Sequence, residues 1–276
     1  MANRNDIPHL IDLLDDHSQN VRDHVLRELL AFGPALEVEM RALIDRLPAE
    51  KRRLAEWMIA SHRQTQVRWE SWRAWPELES PTEQLETAFE LLAQFQYGWK
   101  PPILLRDLLD DLARDFLTTC HTRDALSLSR FLFVTKQLRG NTDDYYSPLN
   151  SNLIHVIQNH TGLPISLVCV FILVGGRCGV AVDGCSAPQH FLARARIGGS
   201  TLLFDCYNGG RILTDKETKS IRAHMPSHMW RVLAEPARPI EIIRRVLNNL
   251  VHAYTLQGDG ANAALMRELN AALPTL

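Results

Sequence analysis

The chain has 276 residues, of which 46% are hydrophobic and 22% are charged, and its formal net charge at pH 7 is −2. This composition supports one large hydrophobic core or two moderate ones and excludes a disordered chain. The near-neutral charge gives no overall field that would hold phosphates, so we predict no nucleic-acid partner.

The five cysteines follow no CxxC spacing, and most of them stand among apolar residues. This pattern predicts reduced thiols in a cytoplasmic protein and no metal site or other cofactor. Residues 1–10 contain no apolar segment of the secretory type. The apolar run 163–182 is interrupted by Gly175, Gly176 and Arg177. It therefore favours a buried core helix, and we predict no membrane association.

The first predicted elements are helices. Residues 8–33 carry apolar side chains at helical spacing on both sides of the break DDHSQN, which predicts a helical hairpin. The hairpin resembles a HEAT repeat, in which two antiparallel helices meet at an Asp-containing turn followed by a Val-Arg pair, here Val21 and Arg22. Such repeats stack on neighbours, and the helical period continues through 35–62. We predict a HEAT-like region over 1–78, because Pro76 and Pro81 then break the pattern.

A second helical region and a buried helix follow this break. Helical periods at 82–96, 103–117 and 124–138 predict a helical lead over 79–139. Turn-forming residues and a short helix at 151–160 precede the segment GLPISLVCVFILVGG. Because proline suits the first turn of a helix, Ser166 is predicted in the first turn of a buried helix over Ile165 to Val174. Free N–H groups and the helix dipole can stabilise an oxyanion there.

The segments 180–185, 190–197 and 201–207 have the character of strands, and Gly198 with Gly199 predicts a two-residue hairpin. A helix is predicted for 238–256, after a core over 140–215, and 257–276 is interpreted as a short tail. Helices followed by an antiparallel meander predict an α+β fold. His190 opens one strand and Asp205 closes the next. Their side chains can lie side by side as the orienting half of a catalytic triad.

Three blocks of sequence, RGNTDDYYSPLNSNLIHVIQNHTGLPISL, PQHFLARA and LFDCYNGGRIL, occur in this order. Together they resemble the bacterial SirB-type branch of the transglutaminase-like superfamily, over about Pro81 to Tyr254. The resemblance implies a papain-like core, in which a buried central helix packs on a small antiparallel sheet. The domain so defined spans 79–256.

The resemblance also assigns candidate site residues. The cysteine, histidine and aspartate of active superfamily members fall on Ser166, His190 and Asp205, and the Asn-Ser pair of the family falls on Asn150 and Ser151. Serine thus replaces the usual nucleophile, and Cys206 follows Asp205 where the branch usually has proline. The residues expected to support the cleft are Asn150, Tyr145, Tyr146 and Gln189.

Two functions follow from this resemblance. The first is a non-catalytic or weakly catalytic protein that binds a protein partner as a regulator or adaptor. The alternative is an acyl-transfer hydrolase of the amidase or peptidase type, with Ser166 as nucleophile, His190 as general base and Asp205 as orienting group. The two are distinguished by whether Ser166 Oγ lies within hydrogen-bond reach of the His190 imidazole. The sequence leaves the substrate, the partner and the oligomeric state open.

Overall fold

The computed structural model describes residues 6–14, 16–30, 32, 36, 40, 44, 47–97, 101, 103–187, 191–224 and 235–275. The chain divides into two compact units, Met1–Ser71 and Trp72–Leu276. The division lies a few residues before the break at Pro76 and Pro81, and the domain limits inferred from the sequence stay a prediction.

The first unit contains helices over the predicted hairpin and from residue 49 onward, while most of the helical period predicted for 35–46 lies outside the described residues. They are α1 (Ile7–Asp12), α2 (Gln19–Leu30) and α3 (Ala49–Ala74), the last of which runs on into the second unit. Val21 packs against the core of this unit, while the Arg22 side chain lies outside the described part of the chain. The HEAT-like character stays a prediction. The buried residues of the core are Ile7, Ile11, Leu14, Val25, Leu29, Leu36, Met40 and Ala55.

The second unit begins with the helical lead. Three helices form at the positions that the sequence predicts, and the third continues as a π-helical turn over Phe131–Thr135. The first turn of this third helix is capped by Asp124, whose Oδ1 accepts a hydrogen bond from the Ser127 N–H at 2.8 Å. The helices are α4 (Pro81–Tyr97), α5 (Leu105–Thr119) and α6 (Ala125–Arg130).

The rest of the second unit mixes helices with two small sheets, so the predicted α+β fold is confirmed. One sheet has two parallel strands, and the other has four antiparallel strands that pair in chain order. The helices are α7 (Leu153–Asn159), α8 (Pro164–Cys178), α9 (Asp215–Ala223), α10 (Pro239–Leu256) and α11 (Gly260–Ala271). The strands are β1 (Arg139–Gly140), β2 (Thr161–Gly162), β3 (Asp183–Cys185), β4 (Leu192–Ile197), β5 (Ser200–Asp205) and β6 (Arg211–Ile212).

The predicted hairpin joins β4 to β5. Gly198 and Gly199 have φ angles of 57° and 83°, which two-residue turns between antiparallel strands require and which glycine adopts without strain. The register starts with Ile197 opposite Ser200 and runs to Ala193 opposite Phe204. The hairpin thereby places Asp205 at the far end of the ladder.

Helix α8, the central helix, is the most deeply buried element of the second unit. Between Ile165 and Val174 only Ile172 keeps part of its surface exposed, which confirms the predicted burial. Phe171 makes T-shaped contacts with Phe133 of the helical lead and Phe204 of β5, at centroid distances of 5.7 and 5.6 Å. Each fully buried aliphatic or aromatic side chain contributes about 1.5–3 kcal/mol. The helical lead and the sheet therefore share one core.

Arg177 fixes the C-terminal end of the central helix. Its Nη2 and Nη1 donate to the two carboxylate oxygens of Glu86 on α4 at 2.7 and 2.8 Å, and its Nε donates to Asp110 on α5 at 2.6 Å. A cation in the last turn of a helix is also favoured by the helix dipole. The arginine thus connects three helices by charge-assisted hydrogen bonds.

The C-terminal residues form a helix that the sequence analysis missed when it treated 257–276 as a tail. Asp259 caps this helix by accepting a hydrogen bond from the Asn262 N–H at 3.0 Å, and its apolar face, with Met266 and Leu269, is buried. The Trp72 indole donates to the Leu269 carbonyl at 2.9 Å. The segment is therefore part of the second unit, because it covers apolar surface and caps its own first turn.

In the described ranges, no helix has both the length and the apolar character that crossing a membrane would require.

Burial of the central helix predicts a strong effect of a charge on it. Val170 has no exposed surface, so Val170→Asp should lower the free energy of unfolding by at least about 3 kcal/mol through an unpaired buried charge. Val134 is 60% exposed, and Val134→Asp should change stability by less than about 1 kcal/mol. Urea unfolding of both variants tests this. Equal effects of the two substitutions would contradict the burial.

Candidate functional site

Ser166 lies in the first turn of the central helix and has no exposed surface. Its Oγ donates a hydrogen bond to the main-chain carbonyl oxygen of Asn150 at 2.7 Å. A hydroxyl group carries a single proton, and a carbonyl oxygen is not a base that could remove it. In this arrangement the hydroxyl satisfies a buried carbonyl and is unavailable as an exposed nucleophile.

Asn150 is the polar centre of the site and is itself fully buried. It lies in the 3-10 turn Pro148–Ser151, which precedes α7 and whose residues Pro148, Asn150 and Ser151 are buried. Its Nδ2 donates to the carbonyl oxygens of Asp144 and Tyr145 at 2.6 and 3.0 Å. Its Oδ1 accepts a hydrogen bond from Asn141 Nδ2 at 2.8 Å. The Asn150 side chain therefore holds the segment from Asn141 to Tyr145, while its main-chain carbonyl is bound to Ser166 at the start of the central helix.

An aromatic group lies beside this segment. Tyr145 packs on Tyr146 and Tyr207, with ring centroids 5.3 and 6.1 Å apart, and Tyr146 packs on His252 of α10 at 5.4 Å. The Tyr207 hydroxyl donates to the Asn141 carbonyl at 2.8 Å. Tyr145 and Tyr146 are 43% and 54% exposed. We call Tyr145, Tyr146, Tyr207 and His252 the aromatic rim.

Asp205 ends β5, as predicted, and its carboxylate is occupied by nearby donors. Oδ1 accepts a hydrogen bond from the Asn208 N–H at 3.2 Å, and Oδ2 accepts one from Asn208 Nδ2 at 2.8 Å. Arg211, its cross-strand neighbour on β6, lies 3.4 Å from Oδ2. These contacts stabilise the turn that follows β5.

His190 and Gln189, the other two predicted site residues, lie outside the described residues. The structure therefore brings Ser166, Asn150 and Tyr145 together through hydrogen bonds and gives no distance from Ser166 to an imidazole. The triad of Ser166, His190 and Asp205 stays a prediction.

The buried thiols in this unit are poor candidates for a displaced nucleophile. Cys169, about one turn after Ser166, is fully buried, and burial raises the pKa of its thiol well above the ordinary range. Burial, with the nearby Asp205 carboxylate, also raises the pKa of Cys206. Burial raises the pKa of Cys185 to about 11. Among the described residues, no group of His, Cys, Asp and Glu side chains could hold a metal ion.

Sequence reasoning missed three contributors to the site: Asn141, Tyr207 and His252. Asn141 and Tyr207 both stand in blocks that carry the family resemblance, RGNTDDYY and LFDCYNGG, so their positions offered a signal. His252 lies in the amphipathic helix α10 and meets Tyr146 only through tertiary packing. Nothing in its local sequence indicates that contact.

A sequence profile of the transglutaminase-like superfamily matches residues 104–248, which is more than half of the chain. The chain belongs to the transglutaminase-like superfamily. The matched range runs from the start of α5 into α10, so it includes the central helix, Asn150 and Asp205.

The transglutaminase-like domain also has similar curated proteins. A UPF0162 protein of Xylella fastidiosa strain 9a5c is 33% identical over 207 residues, which is 69% of this chain and 72% of that protein. A UPF0162 protein of strain Temecula1 is 38% identical over 143 residues, 49% of this chain and 51% of that protein. Mouse F-box only protein 21 is 27% identical over 150 residues, 51% of this chain and 23% of that protein. No solved structure matches the chain.

The hydrogen bonds of Asn150 predict that this position tolerates no acid. In Asn150→Asp a carboxylate faces the two carbonyl oxygens to which the amide donates. The substitution should therefore lower the free energy of unfolding by at least about 2 kcal/mol. The control Asn248→Asp changes an exposed residue whose side-chain oxygen only accepts a hydrogen bond, from Asn270. Its stability should stay within about 0.5 kcal/mol of wild type. Similar denaturant midpoints for the two variants would rule out the proposed role of Asn150.

Proposed function

We propose that this transglutaminase-like protein is a cytoplasmic member of the SirB-type branch that binds a protein partner as a regulator or adaptor and performs little or no acyl transfer. The single observation that carries the proposal is the complete burial of Ser166 and its hydrogen bond to the Asn150 carbonyl. A nucleophile has to reach the carbonyl carbon of its substrate. A hydroxyl that is enclosed and already hydrogen-bonded to a main-chain carbonyl does not meet this requirement.

The aromatic rim supports the binding half of the proposal. Tyr145 and Tyr146 are large side chains that expose about half of their surface next to the segment that Asn150 holds. Tyrosine is enriched at protein interfaces, because its ring buries apolar area and its hydroxyl accepts and donates hydrogen bonds. The rim is held by the Asn150 network, so it needs little ordering on binding. The HEAT-like N-terminal helices would provide a further docking surface in the same role.

The alternative is an acyl-transfer hydrolase that uses Ser166, His190 and Asp205. It is favoured by the position of Ser166, since the first turn of the buried helix is where the resemblance places the superfamily cysteine. For this chemistry the Ser166 hydroxyl would have to leave the Asn150 carbonyl and donate to an imidazole. The two functions therefore predict opposite reactivity of one hydroxyl.

Labelling with a fluorophosphonate probe separates the two functions, because the probe reacts with activated serine hydroxyls. We expect no label on the purified protein beyond that on Ser166→Ala, under conditions in which a serine hydrolase such as trypsin labels fully. Ser166→Ala should also lower the free energy of unfolding by about 1 kcal/mol, as the lost hydrogen bond requires. Labelling that disappears in Ser166→Ala would establish the hydrolase and overturn the adaptor proposal.

Site-specific photo-crosslinking tests the binding surface. We expect p-benzoylphenylalanine at position 146 to give a discrete adduct with a protein partner in cells of the source organism. The same photo-reactive residue at position 134, which is also exposed and lies outside the aromatic rim, should give none. The adduct is read by immunoblotting and identified by mass spectrometry. Crosslinking at position 134 without crosslinking at 146 would mean that the partner docks elsewhere.

A further inference from the structure

Arg245, on α10, is a half-buried cation in an almost neutral environment. Its Nη1 donates to Ser186 Oγ at 3.0 Å and to the Ala187 carbonyl at 3.1 Å. Its guanidinium carbon lies over the Phe191 ring, 5.4 Å from the centroid. In the described part of the chain, no Asp or Glu side chain pairs with this guanidinium, whereas Arg177 and Arg211 both have carboxylate partners.

A half-buried charge without a counter-ion is unfavourable. Burial lowers the pKa of Arg245, and the nearby Tyr145 and Cys185 side chains offset that shift only in part. The segments 188–190 and 225–234, which lie outside the described residues, contain no Asp or Glu that could serve as a counter-ion. An external anion would offset the free-energy cost of burying this charge without a counter-ion.

Two guanidinium nitrogens are available for such an anion. Nε and Nη2 of Arg245 make no hydrogen bond to any described residue. Neither is among the buried nitrogen atoms without a partner in the described ranges, and the Arg245 side chain keeps part of its surface exposed. A guanidinium that presents two N–H groups in one plane matches the two oxygens of a carboxylate.

The position of Arg245 connects it to the candidate site. Its contacts Ser186, Ala187 and Phe191 flank the segment 188–190, which contains His190 in the sequence. On the other side it is close enough to Tyr145 for an electrostatic interaction. His252 of the aromatic rim lies seven residues later on α10, which is two turns along the same face. Arg245 and the exposed tyrosines can therefore contact one ligand.

We propose that Arg245 binds a carboxylate group of the partner polypeptide, with Tyr145 and Tyr146 contacting the adjoining residues. This inference rests on the proposed function, because it names the chemistry by which the cleft recognises its partner. One guanidinium neutralises a single negative charge, whereas a phosphate dianion is usually held by several cations. Among the described residues, the groups nearest Arg245 are neutral side chains and a carbonyl. A carboxylate is therefore favoured over a phosphate.

The test uses the full chain with ¹⁵N-labelled arginine and follows the Nε–H resonances by NMR. The probes are acetyl-Gly-Ala with a free C-terminal carboxylate, acetyl-Gly-Glu-amide with a side-chain carboxylate, the uncharged acetyl-Gly-Ala-amide, and inorganic phosphate. We expect saturable shifts of the Arg245 resonance with one or both carboxylate peptides. The relative size of the two shifts tells whether the partner presents a terminus or an acidic side chain.

Two variants complete the experiment. Both variants lack the Arg245 Nε–H, so their affinity for the carboxylate peptides is measured by titration calorimetry against wild type. Arg245→Gln should abolish binding, and Arg245→Lys should weaken it about tenfold, because an ammonium group lacks the planar pair of donors. Arg267→Gln removes the same charge from an exposed position on α11 and should leave the response intact. Equal shifts with the uncharged peptide, shifts with phosphate alone, or no shift of the Arg245 resonance would each overturn the carboxylate site.

The peptide titration and the crosslinking at position 146 can fail independently of each other. An adduct at position 146 without any carboxylate response would retain the protein-binding role and reject Arg245 as its recognition group. A carboxylate response without any adduct at position 146 would retain the anion site and reject the protein partner.

Discussion

A helix with almost no exposed surface has to satisfy its polar groups inside the protein. The central helix Pro164–Cys178 is under this constraint, since its side chains from Ile165 to Val174 are nearly all buried. At its start the Ser166 hydroxyl donates to the Asn150 carbonyl, and at its end Arg177 is neutralised by Glu86 and Asp110. The second unit is thus organised around one apolar helix whose two ends are each held by hydrogen bonds to other segments.

The hydrogen bond at the N-terminal end of the helix also belongs to the candidate site. Asn150 accepts the hydrogen bond of Ser166 on its main-chain carbonyl and uses its side chain to hold the segment leading to Tyr145. The hydroxyl of Ser166 therefore forms part of the scaffold for the exposed tyrosines. A fold persists through its packing, and packing places no demand on reactivity.

Much of the fold could be predicted, because hydrophobic period and turn chemistry are local signals. The central helix, the lead helices and the Gly198–Gly199 hairpin all follow from such patterns. Helix α11 was missed, because its weak apolar face becomes meaningful only when it packs on α10. In the site, the position of Ser166 was predictable from Pro164, but its hydrogen bond to Asn150 joins residues sixteen positions apart. The surroundings of Arg245 depend on three separate segments, which no local pattern reveals.

The hydrogen bond from the Trp72 indole to the Leu269 carbonyl indicates how far upstream a fragment must start if the transglutaminase-like domain is to fold by itself. The superfamily profile starts at residue 104, yet a polypeptide cut there would lose Trp72 and Trp75, both fully enclosed. It would also lose the N–H donor to the Leu269 carbonyl oxygen and the buried face of α4, which includes Leu85, Phe89 and Leu92. The smallest self-sufficient fragment therefore reaches upstream into α3, and evolutionary and physical boundaries of this domain differ by about two helices.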